Sequence, residues 1–344
     1  MKRLLLVACS ALIVTACSAE RNGALPSGAP FAATAPSHDG VGQTAGNVYV
    51  ANWYGNDVVV FSADGKSKLR TITAGVAYPN VLAIDGSGRA FVGNYGSPSG
   101  SSASTVAVYG AGGSTPTRTI TQGLLGPYAI AFGPAGKVYV ANRGGTTVTI
   151  YPRGSSTLLQ TISKDVRSPE ALAFDGDGNV YVANWANNTV TSYAPGKMSP
   201  LKTYSTGVLR PDALAFDDAQ NLYVANHGAN TVTVYEPLHK NAPHTIRKGV
   251  REPVALISTS SKLLYVLNYQ NSSVSVYDET TLALVRTITD GVACPTAMAT
   301  SKSGSLYVAN SCPSSLSVYS STGSKPLRTI TNGLNGPVAI GIVP

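Results

Sequence analysis

The residues of this chain best placed to do chemistry are Glu170 and Asp212, 42 positions apart, and Arg143, Trp185 and His227, also 42 positions apart. Neighbouring carboxylates can exchange protons or hold a divalent cation between them. Histidine titrates near neutrality and serves as a base. Trp185 and Tyr128 add aromatic faces for apolar contact with a sugar or peptide. Glu170 and Asp212 are therefore the metal candidates. Tyr128, Arg143, Glu170, Trp185, Asp212 and His227 are the ligand-binding candidates. No catalytic residue is assigned beyond them. Other chemical motifs fail on inspection. Asp175-Gly176-Asp177-Gly178-Asn179 begins like a calcium loop, but Val180 stands where an EF-hand needs glycine and Ala186 where it needs glutamate. There is no Gly-x-Ser-x-Gly elbow, no His-Glu-x-x-His pair and no phosphate loop.

Because these candidates are scattered along the chain, a repeated scaffold must bring them together. Tyr49-Val50-Ala51-Asn52 returns as Phe91-Val92-Gly93-Asn94 and Tyr139-Val140-Ala141-Asn142, and again from Tyr181, Tyr223, Tyr265 and Tyr307. From Tyr139 onward each step is 42 residues. The longer step from Phe91 to Tyr139 places its extra residues in the Gly/Ser-rich stretch 96–104, where a surface loop lengthens at small entropic cost. Each unit holds four short apolar or β-branched runs separated by turn residues. No segment after the N-terminal region shows helical periodicity. The expected fold is all-β: a seven-bladed β-propeller with four-stranded antiparallel blades.

The ends of the chain indicate how the ring closes. The first unit opens at Asn47 with its second strand, while Pro337-Val338-Ala339-Ile340 matches the first strand of another unit, Pro127-Tyr128-Ala129-Ile130. The C-terminal strand should therefore complete the N-terminal blade, which removes two unpaired sheet edges. On the outermost strands a cation recurs, at Arg70, Arg118, Lys202, Arg286 and Arg328, with Gln160 and His244 in the other copies. Charge on an exposed edge opposes aggregation and accounts for much of the net charge of +8. Charged residues are only 12% of the chain, about half the usual share, so no nucleic-acid partner is expected.

The repeat, as in Tyr223-Val224-Ala225-Asn226-His227-Gly228-Ala229-Asn230, resembles the YVTN family of β-propellers of microbial surface proteins. It is also similar to NHL repeats and, more distantly, to lactonase and streptogramin lyase propellers. The third repeat residue is Ala, Gly or Leu where the family has Thr, which alters packing and not topology. The resemblance implies that the turns between strands B and C, and the links from strand D to the next strand A, share one face around the channel mouth. On that face the asparagines that end the repeat motif, from Asn52 to Asn310, are invariant and are read as side-chain caps of the following turn. The residue after each varies: Trp53, Tyr95, Arg143, Trp185, His227, Tyr269 and Ser311. A second variable set follows the strand A proline: Asn80, Tyr128, Glu170, Asp212, Val254, Thr296 and Val338.

The N-terminus supplies an address. Lys2 and Arg3 precede an apolar run, and Val14-Thr15-Ala16-Cys17 looks like a lipoprotein lipobox with Cys17 as the acylated residue. Residues 1–16 are expected to be a signal peptide, 17–46 a flexible tether rich in Gly, Ala, Ser and Pro, and 47–344 the propeller. This places the protein in the bacterial cell envelope, periplasmic or at the outer-membrane surface, as a lipid-anchored monomer. Cys294, before strand A of the last blade, and Cys312, in the B–C turn of that blade, fall on the same face and should form a disulfide in that compartment.

From these features the sequence favours a non-enzymatic envelope scaffold without a cofactor, binding a protein, peptide or glycan at the channel mouth. The alternative is a cation-dependent enzyme of the lactonase or lyase kind acting on a small polar substrate, with the cation on Glu170 and Asp212.

Overall fold

A computed structural model describes residues 45–96, 103–237 and 242–344. The signal peptide, Cys17 and nearly all of the tether lie outside the described residues, as does most of the insertion after Gly96. Among the described residues there are seven four-stranded antiparallel sheets and no helix longer than a single 3₁₀ turn. Blade 4 represents the unit, with strand A Pro169–Phe174, B Val180–Asn184, C Thr189–Tyr193 and D Lys202–Tyr204. The A strands of neighbouring blades contact one another and so line the axis.

Strand B is buried along nearly its whole length in every blade, since neighbouring blades cover both of its faces. It therefore reads as a continuous apolar run, not as an alternating one. The ring closes as the repeats imply. Pro337–Ile342 is strand A of blade 1 and pairs antiparallel with Val48–Asn52, setting Val50 opposite Ile340 and Ala51 opposite Ala339.

The invariant asparagines hold the fold: each bridges the turn that follows it, as Asn52 Nδ2 does to Asp57 Oδ1 at 2.6 Å and Asn184 Nδ2 to Thr189 Oγ1 at 3.4 Å, and each also reaches beyond that turn. Each is almost fully buried, and its Oδ1 accepts from a backbone N–H of the link before strand A, as Asn184 does from Arg167 at 3.1 Å and Asn226 from Leu209 at 3.1 Å. Its Nδ2 turns sideways, from Asn184 to Thr191 Oγ1 at 3.1 Å and from Asn226 to Thr233 Oγ1 at 2.8 Å. One amide thus ties three segments together, satisfying a buried N–H that would otherwise be costly. The tyrosine ending strand C donates to a carbonyl of the same link, as Tyr193 does to Lys164 and Tyr277 to Lys248. The links around the mouth are fixed by these two bonds and not by packing alone.

The outer cations do more than keep edges apart. The Arg70, Arg118 and Arg286 guanidinium groups fold back over the rings of Tyr49, Phe91 and Tyr265, covering the aromatic residue of the repeat motif with their stems and charge. Cys294 and Cys312 form a disulfide, with Cα atoms 5.6 Å apart.

Candidate active site

Seven strand A residues form a ring at the mouth of the axis, and the structure places all of them in the interior. Two are polar groups that stitch blades together: Thr296 Oγ1 donates to Pro337 O at 2.7 Å, and Asn80 Nδ2 reaches Pro127 O at 3.5 Å. Two others, Val254 and Val338, are apolar. The fold therefore accepts valine at this position. A carboxylate there costs desolvation that the propeller has no need to incur.

Blades 3, 4 and 5 nevertheless carry Tyr128, Glu170 and Asp212 side by side. Glu170 is 2% exposed and Asp212 3%. Arg143 Nε lies 2.7 Å from Glu170 Oε1, and the Tyr128 hydroxyl lies beside the same carboxyl. The Arg143 guanidinium also lies over the Tyr128 ring, 4.8 Å from its centre. Burial pushes Glu170 up to about 7, against the opposing pull of the Arg143 charge and of the polar groups of Tyr128 and Arg143 beside it. Burial, with the charge of Glu170, keeps Tyr128 protonated far above the ordinary tyrosine range.

Asp212 Oδ2 faces His227 Nδ1 at 3.6 Å, longer than a hydrogen bond. The Trp185 indole lies 5.1 Å from the imidazole of His227, and the Arg210 guanidinium lies 5.8 Å from the indole centre. Trp185 and His227 each open a single 3₁₀ turn. Their backbones are pinned to the facing link, because Trp185 N donates to Ser168 O and His227 N to Arg210 O. The residue before the strand A proline is left-handed in every blade, with φ of 44° at Ser168 and 48° at Arg210. Outside glycine this costs about 1 kcal/mol, offset at Arg210 by a hydrogen bond from its N–H to Asn188 Oδ1 at 2.9 Å.

All six site residues expected from the repeats thus come together in one sector. Arg210 escapes a reading of the repeats, because only its left-handed link brings it over Trp185. The other aromatic residues behave differently. Trp53 packs edge-on against Tyr78 at 5.6 Å and near Tyr95 at 6.1 Å, forming part of the core between blades 1 and 2.

A cation bridging Glu170 and Asp212 does not fit this arrangement. Arg143 already supplies the positive charge that faces Glu170, and Asp212 is turned to His227. Among the described residues no three His, Cys, Asp or Glu side chains converge on a point a metal could take. A cleft of about 430 Å³ on the opposite face, lined by Asp217, Glu236, His244 and Glu279 among others, is separate from this sector. Its Asp217 is engaged by Asn221 and Tyr223.

Residues 72–228 match the protein family described as SMP-30/Gluconolactonase/LRE-like region. Over that stretch the chain is similar to the gluconolactonase family. The matched stretch is less than half of the chain, yet it contains all six site residues. No curated protein matches the sequence. Among solved structures, a functionally unknown protein from Desulfotomaculum acetoxidans aligns with a TM-score of 0.70 at 17% identity, covering 87% of this chain and 99% of its own. A streptogramin B lyase aligns at 0.66 and 13%, covering 85% and 91%. A candidate 6-phosphogluconolactonase from Bacteroides fragilis aligns at 0.68 and 15%, covering 87% and 98%. At such identities these structures speak to the fold alone. The family match, however, corrects the expectation of a non-enzymatic scaffold. The region that carries the candidate site is the region resembling lactonases.

Proposed function

We propose that this chain is a propeller enzyme of the lactonase or lyase kind that opens a small polar cyclic ester at the mouth of blades 3, 4 and 5. The observation that carries the reading is Glu170, a buried carboxyl at a ring position where valine suffices for the fold, with its proton affinity raised to about 7. Perturbed groups of this kind mark sites of proton transfer.

The side chains supply complementary roles. His227, oriented by Asp212, takes a proton from water as the water oxygen bonds to the ester carbonyl carbon. The ring C–O bond then breaks, and Glu170 gives its proton to the departing oxygen. Arg143 offsets negative charge on the carbonyl oxygen as it develops. In the lyase variant, His227 instead removes a proton from the carbon next to the alkyl carbon bearing the ester oxygen, the bond between that alkyl carbon and the oxygen breaks as a carbon–carbon double bond forms, and Glu170 protonates the carboxylate oxygen that leaves. The N-terminal signal, Cys17 and the disulfide support an envelope location for this activity.

The test is acid release from a panel of γ- and δ-lactones and cyclic depsipeptides, with product mass measured in oxygen-18 water. Hydrolysis gives label in the product and elimination gives none. Glu170→Gln and His227→Asn should each lower the rate by about 100-fold or more, the range of general acid–base catalysis. Turnover by neither route, or full activity in Glu170→Gln, would refute the proposal.

A further inference from the structure

The cations at the mouth are not spread evenly. The links before strand A of blades 4, 5 and 6, residues 163–168, 205–210 and 247–252, carry Lys164, Arg167, Arg210, Arg247, Lys248 and Arg251 against Asp165 and Glu252. The links of the other four blades, 73–78, 121–126, 289–294 and 331–336, carry no cation at all. This asymmetry belongs to the inner face and is independent of the outer-strand arginines. It flanks Glu170 and Asp212.

Within that arc Arg210 is the cation held over an aromatic ring. Its N–H donates to Asn188 of the preceding blade and its carbonyl accepts from His227 N at 3.1 Å. The guanidinium of this exposed residue lies over Trp185, whose ring is tilted 49° to that of His227. An arginine held flat on an indole loses little freedom when its N–H edge meets a planar or tetrahedral oxyanion. An arc with six cations against two acids also raises the local concentration of anions.

We infer that the substrate carries an oxyanion, a carboxylate or phosphate separate from the bond that is cleaved, and that Arg210 on Trp185 is its seat. The substrate class rests on the lactonase or lyase reading; the anion seat itself can be measured without turnover. Arg210 then positions the substrate so that its ester lies toward His227 and Glu170, and it takes no part in proton transfer.

The experiment is a tryptophan fluorescence titration of the full-length protein with inorganic phosphate and with malonate, at constant ionic strength. The chain has two tryptophans, Trp53 and Trp185, and a parallel titration of Trp185→Phe assigns the signal. The expected result is a saturable response to at least one anion that is lost in Trp185→Phe and weakened about ten-fold or more in Arg210→Ala. Lys202→Ala, which removes an equal charge from an outer strand, should bind as the wild type does. A response to phosphate alone or to malonate alone names the oxyanion. No saturable response to either, or equal binding by Arg210→Ala and the wild type, overturns the inference. If the anion binds while no lactone is opened, the seat stands and the proposed reaction falls. If lactones are opened without anion binding, the reaction stands and the seat falls.

Discussion

Arg143 Nε meets Glu170 Oε1 at 2.7 Å across the boundary between blades 3 and 4, at a ring position that blades 6 and 1 fill with Val254 and Val338. The pair is thus a departure from what the propeller needs. Removing Arg143 alone, as Arg143→Met, should destabilise the fold by about 3 kcal/mol, since a buried carboxyl loses its counter-charge. Adding Glu170→Val should recover most of that loss. Chemical denaturation of the two variants checks this, and a double variant no more stable than Arg143→Met would show that the ring position is not equivalent across blades.

Glu170 also makes stability depend on pH in a defined direction. Its proton affinity is raised from an ordinary 4.5 to about 7 in the folded state. Its contribution is therefore fully present below about pH 4.5 and is lost as pH rises through 7. Relative to Glu170→Gln, which stays neutral, the wild type should lose stability across that window. Melting temperatures of both proteins from about pH 4 to pH 8, taken in half-unit steps, test the sign. Parallel curves would show that Glu170 does not carry the shift.

Preventing closure by the C-terminal strand should be costly. Ending the chain at Gly336 removes Pro337–Ile342, whose Val338, Ala339 and Ile340 are buried against blade 1 and its neighbours. The truncated protein should fail to melt cooperatively, because a whole A strand and its hydrogen bonds are lost at the axis. A melting temperature equal to that of the full chain would rule out this mode of closure.

The repeats make the architecture legible, because each apolar run and turn recurs at a fixed interval and the incomplete first unit is matched by the extra strand at the end. They also place Arg143, Glu170, Trp185, Asp212 and His227 on adjacent blades. What they conceal is depth and direction. Asn184 and its equivalents bond backward to the link and sideways to strand C, a choice set by how three segments pack. The same is true of Arg210, whose side chain reaches Trp185 only through a left-handed turn. Nor can an aromatic residue's type say whether it lies at the candidate site, as Trp185 does, or fills the core, as Trp53 does. Function is hidden for a related reason. A scaffold shared by all seven blades says little about chemistry, and only the valines at equivalent ring positions show that the two carboxylates are not structural.

The reaction proposed for the mouth depends on Glu170 holding a proton near neutrality. The chain contains five glutamates, few enough for the side-chain carboxyl carbons to be followed individually by carbon-13 NMR of protein labelled at glutamate, with Glu170→Gln identifying one signal. The signal missing from Glu170→Gln is expected to titrate at about 7. A Glu170 signal that titrates in the ordinary carboxylate range would overturn the proton-donor role and the reaction built on it.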